Sequence, residues 1–155
     1  MKIRVAEARD IDRILCLLSQ VLEIHARIRP DIFIPGTTKY TREELLEKLS
    51  RRNETIFVAT DDNDVVQGYA FCVLRDLAGS RNLCPHKILF VDDLCVDEKA
   101  RGQKIGQALF LHVKEEARLL GCYEVTLNVW EGNDARSFYD KMGMKPKETQ
   151  MEIIL

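Results

Sequence analysis

The sequence predicts an α/β domain built around a mixed β-sheet. Three observations carry that reading. Apolar residues recur at helical spacing from Asp10 to Ile28, the pattern changes to that of strands between Thr55 and Val96, and beyond Gly102 helical and strand-like segments alternate. At 155 residues the chain has the length of one compact domain, residues 1–155, with no repeat, low-complexity tract or linker to divide it.

Residues 1–6 read as a short strand. The first helix follows from the stripe Ile11, Ile14, Leu15, Leu18, Val21, Leu22 and Ile28. Pro30 and Pro35-Gly36 end it and impose an irregular connection. Thr41 with Glu44 three residues on is a capping box, so a second helix runs to about Ser50. Thr55 to Thr60 and Val65 to Leu74 are β-rich on either side of Asp61-Asp62-Asn63-Asp64, which predicts an antiparallel hairpin closed by an acidic turn. That turn lacks the glycine and distal glutamate of an EF-hand loop.

A polar loop, 76–86, leads to a strand from Lys87 to Val96. The third helix starts at about Gly102, with its stripe at Ile105, Leu109, Val113, Ala117 and Leu120, and stops at Gly121. His112, between Leu109 and Val113, reads as a packing residue. Glu124 to Val129 is a strand. Asn133 or Asp134 caps a short fourth helix carrying Ala135, Phe138, Tyr139 and Met142, ended by Gly143. Glu148 to Leu155 is expected to close the sheet as a last strand, giving the order β-α-α-β-β-β-α-β-α-β.

Composition narrows the function classes. An apolar share of 46% with 31% charged residues is that of a soluble globular protein. A net charge of −2 without a polybasic block speaks against nucleic acid or an anionic membrane as main partner. The N-terminus Met1-Lys2-Ile3-Arg4-Val5 lacks the apolar core of a secretory signal, and no apolar run reaches the roughly 18 residues of a membrane span. Cys16, Cys72, Cys84, Cys95 and Cys122 are odd in number and form no C-x-x-C pair. Most sit in apolar segments, so a reducing cytoplasm and no metal site are expected.

The strongest chemical signal is the segment from Leu89 to Gly106. A strand ends in a polar loop, and the loop opens a helix whose first turn contains Gly102 and Gly106. The free N–H groups of such a turn, with the positive end of the helix dipole, form an anion site, to which Arg101 and Lys104 add charge. A pyrophosphate could be held there without a metal. The spacing is one residue too short for a P-loop, no Lys-Ser/Thr follows, and the G-x-G-x-x-G dinucleotide fingerprint is absent.

A second segment, Asn128 to Gly143, follows an intervening strand. Together the two resemble the GNAT superfamily of acyl-CoA N-acyltransferases. The family's Leu-x-Val strand end lines up on Leu94-Cys95-Val96, and its Arg/Gln-x-x-Gly-x-Gly/Ala loop on Arg101 through Gly106. Its second signature lines up on Asn133, Arg136, Phe138, Tyr139, Lys141, Gly143 and Met144. The opening Arg4-Val5-Ala6 with Asp10-Ile11 also looks like the family's start, so the resemblance spans essentially the whole chain. Lys104 departs from it, standing where the family has its middle glycine; an ordinary helical backbone is expected there, since a side chain disfavours positive φ. Met144 replaces a phenylalanine.

The resemblance implies direct transfer of an acetyl group from acetyl-CoA to an amine, with no metal. The cofactor-binding residues it implies are Leu94, Cys95, Val96, Arg101, Gly102, Gln103, Lys104, Ile105, Gly106, Asn133 and Tyr139. Backbone N–H groups near Leu94 to Val96 would meet the developing oxyanion. A protonated amine needs a base, and Asp92 is the first candidate, Asp93 the second; adjacent strand residues face opposite sides, so one of them is expected to point at the substrate. Tyr139 would protonate the departing thiolate, and Asn133 would reach the pantetheine arm or cap the helix. The first two helices and their connection commonly cover the acceptor in this family, which makes His25, Arg29 and Phe33 substrate-side candidates; Trp130 is added to them as a residue that either lines the acceptor cleft or shields the sheet end. The acceptor is a small amine, or a protein lysine or N-terminus, and homodimers are common in the family. The other readings are a non-catalytic acyl-CoA sensor and a module that keeps only the fold.

Overall fold

A computed structural model describes residues 1–155. Its strands are β1 (Lys2–Val5), β2 (Glu54–Thr60), β3 (Val66–Asp76), β4 (Lys87–Val96) and β5 (Glu124–Leu127), and its helices α1 (Ile11–Ile28), α2 (Arg42–Ser50), α3 (Ile105–Leu119) and α4 (Ala135–Lys141). One sheet holds the strands in chain order, antiparallel from β1 to β4 and parallel between β4 and β5. No helix is long and apolar enough to cross a membrane.

The strand alternation sorts the core into two layers. Ile56, Val58, Tyr69, Phe71 and Cys95 face α1 and α2, where Ile11, Ile14, Leu17, Leu18 and Leu45 meet them. Phe57, Ala59, Ala70, Cys72, Leu89 and Val91 face Ile105, Leu109, Val113 and Ala117 of α3. Because the central strands are covered on both sides, β2 reads as an unbroken apolar run rather than an alternating one. Each fully buried Leu, Ile or Val contributes about 1.5–3 kcal/mol.

Local signals explain the element ends. Thr41 Oγ1 accepts from the Glu44 N–H and the Glu44 carboxylate accepts from the Thr41 N–H, so the expected capping box starts α2. Arg4 donates two bonds to Asp10, at 2.7 and 2.9 Å, and Asp10 also accepts from the Glu7 N–H, tying β1 to the start of α1. Asp61 accepts from the N–H groups of Asn63 and Val65 and closes the acidic turn. His112 packs edge-on against Phe57, 4.8 Å between ring centres.

The expected last strand is not formed. The backbone of residues 145–155 makes no hydrogen bond to another backbone group. Side chains hold this tail instead: Lys147 bonds Glu124 at 2.5 Å and Arg29 bonds Glu152 at 2.6 Å. The alternation that predicted a strand is real, but β5 offers only four residues of edge and the tail's backbone does not reach it. Leu120, placed in the α3 stripe, lies beyond the helix end and is exposed.

Gly68 lets β3 and β4 approach beside the site. A Cβ there would stand 2.8 Å from the Cys95 carbonyl oxygen and 3.1 Å from Leu109. Since a paired backbone oxygen cannot step aside, Gly68→Ala is expected to lower stability by about 1–3 kcal/mol, read by urea unfolding.

Candidate active site

Two irregularities of β4 build the cleft. Pairing with β5 stops at Val91↔Leu127, so the β5-side edge of β4 is bare from Asp92 to Val96. The Asp97 N–H donates to Gln67 on β3, at 2.8 Å, which fixes the phase of the ladder. Alternation then turns the Cys95 N–H to β3 and those of Leu94 and Val96 to the bare edge. The anticipated oxyanion donors near 94–96 thus narrow to Leu94 and Val96, while the Cys95 thiol is buried against the Leu17 carbonyl and its pKa is pushed up to about 12 by burial.

The second irregularity is a β-bulge. Phe71 pairs with Asp93 and Cys72 with Val91, leaving Asp92 as the extra residue. The expectation that Asp92 and Asp93 face opposite sides is therefore corrected. Tyr40 donates its hydroxyl to Asp92 and Tyr69 donates to Asp93 at 3.1 Å, and both rings pack on Phe71, 5.7 and 4.9 Å between centres. Both carboxyls lie on the α1/α2 side of the sheet. Asp92 is engaged by Tyr40 and by Lys39, whose Nζ is 3.0 Å away. Burial raises the Asp93 pKa to about 6, against the lowering pull of Lys39 and Tyr69, with the neighbouring Asp92 charge adding to the rise.

Below the cleft, the loop between β4 and α3 is a row of donors. No backbone N–H from Arg101 through Gln107 has an acceptor within the chain. Gly102 has φ of 81°, a left-handed conformation that suits glycine. Gln103 and Arg101 are exposed, Ile105 buries its side chain beside Gly68, and Gly106 lies under Phe138. The loop is anchored by buried Asp97, which is ion-paired to Arg13 and accepts from the Lys99 N–H.

Lys104 corrects another expectation. Its φ of 61° and ψ of 17° are left-handed, where an ordinary helical backbone was expected. The loop keeps the turn that a glycine would make easily, and the lysine bears a cost of about 1–2 kcal/mol. Lys104→Gly is expected to raise the melting temperature by about 1–3 °C, since about 0.5–1 kcal/mol of added chain entropy offsets part of the relief. In the same variant, loss of the ammonium is expected to weaken acetyl-CoA binding about tenfold in a calorimetric titration.

Tyr139 and Asn133 close the far wall. Tyr139, on α4, packs against Phe110 and Phe138, 6.2 and 5.2 Å between centres. Burial, then the charges of Asp93 and Cys95, raise its pKa to about 12, so its hydroxyl keeps its proton and lies within the field of Asp93. Asn133 Oδ1 accepts from the Ala135 N–H at 2.9 Å, so the side chain caps α4 and leaves its amide donors free.

The four substrate-side residues converge. His25 packs on Phe33 at 5.1 Å and Phe33 edge-on to Trp130 at 5.3 Å, while the Arg29 guanidinium lies 5.9 Å from the Trp130 ring centre. Asp31 and Glu152 hold Arg29 in place. Burial and the nearby Lys39 charge lower the His25 pKa, which favours the neutral ring at pH 7 and links this cluster to the two aspartates. Lys39, Tyr40 and Tyr69 are additions that the sequence reading missed. Tyr40 directly precedes a capping box, and Tyr69 shares the strand alternation of Phe71; either pattern could have drawn attention to them.

Known proteins bear on this site. In structure, the chain superposes on a crystallised mutant of the Bacillus halodurans protein BH1408 with a TM-score of 0.95, at 28% identity, covering 100% of this chain and 99% of that one. Glucosamine 6-phosphate N-acetyltransferase from Arabidopsis thaliana is 24% identical over 143 residues, 84% of this chain and 91% of that protein. The enzyme of the same name from Trypanosoma brucei brucei is 37% identical over 65 residues, 42% of this chain and 43% of its own length. The model of the Acetyltransferase (GNAT) family matches residues 18–144. That span contains the bulged strand, the donor loop and Tyr139, and with it the chain belongs to the GNAT family and is an acetyltransferase.

Proposed function

We propose that this single domain, residues 1–155, moves the acetyl group of acetyl-CoA directly to a primary amine while both substrates are bound. The observation that carries this reading is the bare edge of β4. It runs from Asp92 to Val96 between an unsatisfied donor loop at one end and the aromatic cluster of His25, Phe33 and Trp130 at the other. The loop N–H groups suit a pyrophosphate, and the family uses acetyl-CoA as co-substrate.

Asp93 takes the role of base. A carboxyl raised to about 6 is ionised at neutral pH yet basic enough to accept a proton from the acceptor's ammonium, which frees the amine lone pair to attack. Asp92, bonded to Tyr40 and Lys39, positions the wall of the acceptor site. Leu94 and Val96 offer N–H groups to the carbonyl oxygen, and Tyr139 returns a proton to the thiolate. The acceptor is a small amine seated against Trp130 and Phe33. Glucosamine 6-phosphate is the first to test, since a relative aligned across 84% of the chain carries that activity in its name. The acting unit is a homodimer in a reducing cytoplasm, where the free cysteines stay reduced.

Thiol release with acetyl-CoA and a panel of glucosamine 6-phosphate, unphosphorylated amino sugars and lysine peptides tests the reading. Amine-dependent release with intersecting double-reciprocal lines is expected. Parallel lines would point to a covalent acyl-enzyme and overturn direct transfer.

A further inference from the structure

The acceptor side of the cleft already holds a primary amine of its own. Lys39 lies on the connection between α1 and α2, where its Nζ stands 3.0 Å from Asp92 Oδ1 and donates to the Asp92 carbonyl at 3.1 Å. Asp92 is the extra residue of the bulge and stands at the head of the bare edge of β4. Two residues on, roughly 6–7 Å along the strand, the Leu94 N–H faces the same edge. A thioester whose carbonyl oxygen meets that N–H has its carbon between the donor and the lysine nitrogen. The Lys39 charge also acts on Asp93, and the Asp93 charge acts on Tyr139, so amine, base and acid share one electrostatic neighbourhood.

The residues beside Lys39 keep the amine there. Tyr40 donates its hydroxyl to Asp92, stacks on Phe71 with 5.7 Å between ring centres, and has Lys48 Nζ 4.4 Å from its own ring centre. Thr38 donates to the Tyr40 carbonyl at 2.9 Å, which ties the backbone on the other side of Lys39. The lysine side chain between these tethers is 40% exposed, open to a second substrate. Neighbouring lysines are placed otherwise. Lys48 is ion-paired to Glu54 and 11% exposed, and Lys104 precedes α3 at the far end of the edge. A nucleophile fixed beside its electrophile needs no encounter from solution.

We propose that Lys39 is a modification site at which the chain acetylates itself, with acetyl-CoA as donor and the Lys39 ammonium in the seat of the acceptor. This internal transfer rests on the acetyl-CoA reading above and uses the same groups. The ammonium gives one proton to Asp93, which passes it to water. The freed lone pair attacks the thioester carbon, a C–N bond forms and the C–S bond breaks. Tyr139 protonates the departing thiolate and is restored by the second proton of the nitrogen, leaving an acetyl-lysine amide and free CoA thiol. The amide carries no charge, so Asp92 loses its cation and the site that meets every later acceptor is altered.

Mass spectrometry of the full-length protein incubated with acetyl-CoA and no added amine tests this. One acetyl group per chain is expected at Lys39, with one CoA thiol released for each. The rate should be independent of protein concentration, as for a reaction within one chain. Lys147, 58% exposed and likewise paired with a carboxylate, is the control for chemical acetylation and should react at least about tenfold more slowly. Tyr139→Phe and Asp93→Asn should each slow the Lys39 reaction about 10²- to 10⁴-fold and leave Lys147 unchanged. Lys39→Arg keeps a cation on Asp92 and should abolish the stoichiometric thiol release. Equal rates at Lys39 and Lys147, or a Lys39 rate indifferent to both variants, would make the event chemical and overturn the inference. A rate that rises with protein concentration would overturn transfer within one chain. Unmodified Lys39 in an enzyme that still acetylates an amine of the panel would overturn the self-acetylation alone. Unmodified Lys39 in a protein that releases no thiol with any amine would overturn the transfer reading as well.

Discussion

Asp93→Asn is expected to lower turnover about 10²- to 10⁴-fold at neutral pH, the range of a lost general base. The wild-type kcat/KM should rise through an inflection at about pH 6, where Asp93 gives up its proton. In the variant that inflection disappears and only the titration of the acceptor amine remains. Asp92→Asn makes the contrast. It removes a neighbouring negative charge and frees Lys39, both of which lower the Asp93 pKa, so activity falls less and the inflection moves to lower pH. A wild-type inflection that survives Asp93→Asn would end the assignment.

Stability moves the other way in the same variant. The Asp93 pKa is raised in the folded chain above its unfolded value near 3.8, so the folded state binds the proton more tightly. The native state loses stability as pH rises from about 4 to 6, and above 6 the charged carboxylate is a standing cost. Asparagine carries no such charge and still accepts from Tyr69. The melting temperature of the variant should exceed that of the wild type above pH 6, and the two should converge toward pH 4. A more stable but inactive protein separates loss of a base from loss of fold.

Tyr139→Phe is expected to cut turnover about 10²- to 10⁴-fold as well, with acetyl-CoA binding and melting temperature little changed. The ring contacts with Phe110 and Phe138 survive the substitution, so only the hydroxyl is removed. Because its pKa is raised to about 12, the hydroxyl is protonated throughout the working range, and the deficit should be flat from about pH 6 to 9. Turnover within twofold of the wild type in a normally folded variant would show that Tyr139 is a packing residue.

Much of the architecture is written in local pattern. The α1 stripe, the Thr41–Glu44 box and the stops at Gly121 and Gly143 each act over a few residues, and each falls where its spacing predicts. The donor loop was legible for the same reason, and the second motif, Asn128 to Gly143, put Tyr139 on the fourth helix. What escaped was non-local. The bulge at Asp92 is a property of two strands in register, and no spacing within β4 announces it. Tyr40 and Lys39 reach Asp92 across more than fifty residues of chain. The left-handed Lys104 inverts a sound local preference, because the geometry of the loop outweighs the cost of one side chain. The tail shows the opposite failure, in which a correct strand pattern finds no partner within its own chain.

The short β4–β5 ladder has a mechanical consequence. Four rungs, from Ile88↔Glu124 to Val91↔Leu127, fasten β5 to the sheet, and the side chains of α4 beyond it are at most partly buried. The chain from Glu124 onward is thus a clasp hinged on a short seam, with the proposed substrate groove along its opening. A molecule lying in that groove bonds to β4 on one side and to the clasp on the other, and so serves as mortar between them. Occupancy should slow amide exchange in β5 and α4 far more than in β2 or β3, and add RT ln(1 + [L]/Kd) to the stability of the whole.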